Sequence, residues 1–104
     1  MTKETETAFK ILYCEYKRRR SYGTPKPEAM RFENAKLQKI DAYSEWNPED
    51  LRYALHELRK IKAVRIDILG NVELTESGIE YMEDKPMQYF ETVSKFFNLL
   101  AIFI

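Results

Sequence analysis

At 104 residues the chain is long enough for one domain with one core and too short for a core plus a separate catalytic lobe. A single cysteine, Cys14, excludes an intrachain disulfide, and a formal charge of zero excludes a protein that is basic all over. The sum conceals an asymmetry: residues 1–40 carry ten Lys and Arg against five acids, and residues 41–104 carry seven against twelve. An anionic partner is therefore expected to meet the first half. The N-terminus MTKETETAF lacks an apolar stretch of signal-peptide length, so the expected compartment is the cytoplasm.

Ala8, Phe9, Leu12, Tyr13 and Tyr16 recur three and four residues apart, which predicts a helix over about Thr5 to Ser21, ended by Gly23, Pro25 and Pro27. Cys14 lies beside that stripe and is expected to be a buried, inert thiol. From Glu28 to Ile40 two readings stand: a loosely periodic helix, or a short strand AMRF followed by a helix capped by Asn34. The second is preferred, and both close near Asp41.

In WNPEDL, Asn47 is placed to cap a helix, Pro48 suits its first position, and Glu49 and Asp50 sit where the helix dipole favours acids. Trp46 and Leu51 are spaced for a hydrophobic staple. Leu51, Ala54, Leu55, Leu58 and Lys62 fall on one stripe, with Tyr53, His56 and Lys60 opposite.

Two short strands follow, Val64, Ile66 and Ile68 alternating in the first and Val72 and Leu74 in the second. Facing all of these to the core requires Ile68 opposite Val72 and Ile66 opposite Leu74, hence a three-residue loop Leu69-Gly70-Asn71 with Gly70 or Asn71 left-handed. Thr75 then caps a helix that buries Ile79 and Met82.

The order helix, strand, helix, capped helix, hairpin, helix resembles the winged helix-turn-helix fold. The run LTESGIEYM, Leu74 to Met82, is similar to the leucine, threonine, acid, any residue, glycine run that closes the wing in bacterial regulators of the MarR and PadR type. The fold class expected is α+β, mainly helical, with a two- or three-stranded sheet over residues 1–84 and an extra apolar helix over 85–104. The resemblance implies that the helix after Asn47 is a recognition helix lying in the major groove of double-stranded DNA, with the hairpin as wing. Its outward residues Arg52, Tyr53, His56 and Lys60 would then meet base edges and phosphates.

The basic run Lys17, Arg18, Arg19 and Arg20 is a second candidate for phosphate contact, extended by Lys26, Arg31, Lys36 and Lys39. The alternative is a solvated helix end whose cations complement the C-terminal dipole. Glu49 and Asp50 in the leading turn, and a wing tip with no Lys or Arg, point instead to a winged-helix module for protein contact or membrane-proximal assembly. Nothing assembles a catalytic apparatus, because His56 is the one histidine, Cys14 the one cysteine, and the three glycines form no phosphate-cradling loop. A non-enzyme without metal or cofactor is expected.

At the C-terminus, Phe90, Val93, Phe97, Leu100 and Ile104 follow the spacing of a coiled-coil seam, widened by Tyr89, Phe96 and Phe103. The expectation is a dimerisation element that pairs two recognition helices. Membrane contact through FFNLLAIFI is the rival, although that stretch is short of the ~20 residues a span requires.

Overall fold

The structure is a computed structural model that describes residues 1–84. It opens with α1, Lys3–Ser21, which starts two residues earlier than the apolar stripe predicts. Thr2 supplies the reason: its hydroxyl oxygen accepts from the Thr5 amide at 3.1 Å and its O–H donates to the Thr5 hydroxyl at 2.9 Å. A short helix α2, Lys26–Ala29, follows where the two prolines predicted only a break; Pro27 sits in its first turn, where no amide is needed.

Strand β1 is confined to Arg31–Phe32, and α3, Asn34–Leu37, begins at the residue expected to cap it. Asn34 makes no cap hydrogen bond to its own helix because its amide is used elsewhere, as described below. A 3-10 turn, Asp41–Tyr43, leads to α4, Pro48–Lys60. Here the local signals hold: Asn47 Oδ1 accepts from the Glu49 amide at 2.8 Å and Leu51, Ala54, Leu55 and Leu58 are buried. Lys62 departs from the buried stripe assigned to it. The helix ends at Lys60, and Lys62 is exposed in a left-handed turn, with φ of +63°.

Strands β2, Val64–Ile66, and β3, Val72–Leu74, complete a three-stranded antiparallel sheet in the order β1-β3-β2. Helix α5, Glu76–Glu83, closes the described chain, its first turn capped by Thr75, whose hydroxyl accepts from the Gly78 amide at 2.9 Å. Ile79 and Met82 are buried as expected. Over the described residues the molecule is thus α+β, mostly helical, with one small three-stranded sheet.

The hairpin register differs from the expected one by two residues. Val64 pairs with Leu74, Arg65 with Glu73 and Ile66 with Val72. A slip of two keeps every side chain on its face, so the alternation could not discriminate between the registers. The outcome is a five-residue loop, Asp67 to Asn71, in place of three, with Ile68 fully exposed instead of paired with Val72. Gly70 takes the left-handed conformation, with φ of +83°.

The core lies between α1, α4 and the inner face of the sheet. Phe9, Leu12 and Tyr13 of α1, Leu58 of α4, Phe32, Val64, Val72 and Leu74 of the sheet, and Met82 of α5 are all buried within it. Tyr43 is fully buried and its hydroxyl donates to the Ala8 carbonyl, tying the 3-10 turn to α1. Trp46 stacks edge-on against Tyr43, ring centres 5.7 Å apart, which holds the entry to α4.

Candidate nucleic-acid interface

Burial of Leu51, Leu55 and Leu58 turns the opposite side of α4 to solvent. Arg52, Tyr53, His56 and Lys60 all stand on that exposed side, Tyr53 with two thirds of its surface free. Arg59 joins them. Arg52, His56 and Arg59 are four and then three residues apart, so they form one stripe, and no described residue pairs with any of the three. Lys60 differs in being bonded to Glu57 at 3.2 Å. At the head of the helix Glu49 and Asp50 are exposed, and since Asn47 alone supplies the side-chain cap, Asp50 is not turned back to do so.

The basic surface continues past the helix end. Arg59, Lys62 and Arg65 line one groove together with Glu76 and Thr75. Sequence reasoning assigned none of the three cations to the interface and placed Lys62 on the buried stripe; the i, i+7 spacing of Arg52 and Arg59 was the available signal, whereas Lys62 and Arg65 join the stripe only through the turn at Lys62. On the outer face of the sheet Arg65 and Arg31 flank Glu73 on neighbouring strands, at 3.1 and 3.8 Å.

The run at the end of α1 is engaged within the molecule. Arg18 bonds Glu15 through two nitrogens, at 2.9 and 2.6 Å. Arg19 donates to the Arg31 carbonyl at 2.6 Å and lies over the Phe32 ring at 4.4 Å, fastening α1 to β1. Arg20 donates to the Thr24 carbonyl at 3.1 Å, and Lys17 sits 3.7 Å from Glu83. Lys17 and Arg20 are nevertheless exposed, while Arg18 and Arg19 are half-buried.

The loop between β2 and β3 is built by side chains. Asp67 Oδ1 accepts from the amides of Leu69 and Asn71, both at 2.9 Å, and Oδ2 accepts from Asn71 Nδ2 at 3.0 Å. These donors, the Asn71 amide foremost, hold the Asp67 carboxyl below its ordinary value. Asn34 clamps the loop to α3: its amide donates to Asn71 Oδ1 at 2.9 Å and its Nδ2 to the Leu69 carbonyl at 3.2 Å. Gly70 passes so close that a Cβ there would lie 2.8 Å from Asn34 Nδ2. Arg52, His56 and Gly70 border a single groove floored by Ile66 and Val72, so the loop and the exposed face of α4 flank the same opening.

Comparison of the chain with protein-family models, characterised proteins and solved structures finds no match. Among the described residues no cluster of three or more His, Cys, Asp or Glu could hold a metal ion, and no helix is long and apolar enough to cross a membrane. The proposed dimerisation residues, Phe90, Val93, Phe97, Leu100 and Ile104, lie outside the described residues.

Proposed function

We propose that the chain is a small winged-helix protein that binds double-stranded DNA, with α4 as the recognition helix and the β2–β3 hairpin as the wing, acting as a cytoplasmic transcriptional regulator. The order of elements and the β1-β3-β2 sheet support the fold reading. The observation that carries the function is the stripe Arg52, His56 and Arg59: exposed, unpaired among the described residues, and set on a helix whose other side is core. Arginines without an internal partner lose no existing bond when they meet phosphate or a guanine edge. Lys17 and Arg20 add attraction at the end of α1, while Arg18 and Arg19 serve the domain's own structure.

Binding to mixed duplex DNA across a salt series tests this. If Arg52, Arg59 and Lys62 neutralise three phosphates, log K falls with log salt at a slope of about −2.7, and each replaced cation flattens it by about 0.9. Arg18→Ala with Arg19→Ala should leave the slope as it was. No salt-dependent binding near physiological ionic strength would remove the proposal.

A second reading, a winged-helix module for protein contact, draws on Glu49 and Asp50, which stand exposed where a major-groove helix would approach phosphates. The same salt series separates the two. The apolar residues at 89–104 are proposed to form a homodimer that sets two α4 helices at paired half-sites. Light scattering should show a dimer that Phe97→Glu converts to monomer, whereas a monomer sedimenting with liposomes would favour membrane contact.

A further inference from the structure

We propose that Ile68 and Leu69 form an apolar wedge that enters the minor groove of the duplex held by α4 and opens a base step; this rests on the duplex-binding reading above. Ile68 is wholly exposed and Leu69 is 73% exposed, yet the loop that carries them is held by its own side chains. Asp67, Asn71 and Asn34 fix it through five side-chain hydrogen bonds. Neither aliphatic side chain contributes to the hydrophobic core. The bonding therefore serves to hold the two side chains out, in an order that need not be acquired at the moment of binding.

Position supplies the occupant. Gly70 of this loop and Arg52 and His56 of α4 border one groove, so a duplex gripped by α4 runs beside the loop tip. The five loop residues include no Lys or Arg, so the tip is not equipped for phosphate. Both Asp67 oxygens accept from N–H donors of the loop itself, so the carboxylate is engaged within the loop. Insertion of Ile, Leu, Met or Phe between base steps, with a kink toward the major groove, is the contact for which such a tip is suited. A protein interface would be served poorly: two aliphatic side chains bounded by Asp67, Asn71 and Asn34 are far smaller than the ~800 Å² that a stable partner covers.

The test uses the full chain and a mixed-sequence duplex of about 30 bp carrying a fluorescence donor and acceptor at its two ends. The unmodified protein is expected to shorten the end-to-end distance, as a bend of about 20–90° requires. Ile68→Ser with Leu69→Ser should keep the native melting temperature and the salt slope, abolish the bend, and weaken binding by at least about tenfold, the loss expected from even one of the two aliphatic contacts. Asp67→Ala should diminish the bend while both aliphatic side chains remain, which a merely greasy surface would not do. A bound but unbent duplex, or equal bending by the double variant, would overturn the wedge and leave duplex binding standing. Absence of salt-dependent binding by the unmodified protein would overturn both.

Discussion

Gly78→Ala sets two effects of known size against each other. Gly78 lies in the first turn of α5, and on helix propensity alone alanine there would stabilise the protein by about 1 kcal/mol. The tertiary structure opposes this. A Cβ at Gly78 would stand 2.4 Å from the Ala63 carbonyl oxygen and 3.2 Å from its carbonyl carbon and Cα, so α5 and the start of β2 would have to separate by the better part of an ångström. That same carbonyl accepts from the Thr75 amide and hydroxyl, each at 3.1 Å, and the neighbouring Val64 is in the core. Overpacking of this kind costs about 1–3 kcal/mol, and strain on the two hydrogen bonds adds about 1 more in all. The clash therefore wins, for a net loss of about 1–3 kcal/mol. At roughly 4–8 °C per kcal/mol in a domain of this size, the melting temperature should drop by about 5–20 °C. Thermal and urea unfolding followed by circular dichroism would measure it, with Ser77→Ala, exposed in the same helical turn, as a control expected within about 0.5 kcal/mol of the parent. A Gly78→Ala protein more stable than its parent would mean that α5 does not approach Ala63 as described.

The hairpin register predicts unequal losses: Leu74→Ala, fully buried, should cost about 2–5 kcal/mol, while Ile66→Ala, only partly buried opposite Val72, should cost under about 2. Matching losses would restore the register with Ile66 against Leu74. The Asp67 carboxyl, lowered by its hydrogen bonds, stabilises the loop fully above the ordinary carboxylate value of about 3.9 and loses that contribution as pH falls through its own lower value. Amide NMR shifts of Leu69 and Asn71 should therefore titrate below that ordinary value; a midpoint at or above it would contradict the bonding described. The Cys14 thiol is pushed up to about 12, by burial first and by Glu15 second, so a thiol reagent at about pH 8 should label it only as the protein unfolds. Rapid labelling of the folded protein would place Cys14 at the surface.

Certain features were legible because the forces that make them act within a few residues. Asn47 before Pro48, and Thr75 before the turn at Gly78, are caps whose hydrogen bonds span two and three residues, and both were read correctly from spacing alone. The stripe of α1 and the buried side of α4 follow from periodicity in the same way. The glycine of the LTESG run was also visible, though its reason was not: the close pass of α5 over Ala63 is a contact between residues fifteen apart.

What only the tertiary structure decided concerns partners far apart in the chain. Alternation cannot distinguish two registers that differ by two residues, so the choice fell to Asp67, which gathers the Leu69 and Asn71 amides and ends the strands at Ile66 and Val72. Asn34 reads as a helix cap until Asn71 and Leu69, more than thirty residues away, engage both its backbone and side-chain amides. The arginines of α1 look free for phosphate until β1 arrives beneath them and the Arg31 carbonyl takes Arg19, while Arg59, unremarkable in sequence, is left unpaired among the described residues beside Arg52 and His56. A charged or polar side chain has several nearly equal hydrogen-bonding choices in an isolated segment, and which is taken depends on what packing brings within about 3 Å. The candidate surface on this protein is accordingly a group of cations on and beside α4 that packing left without a partner among the described residues.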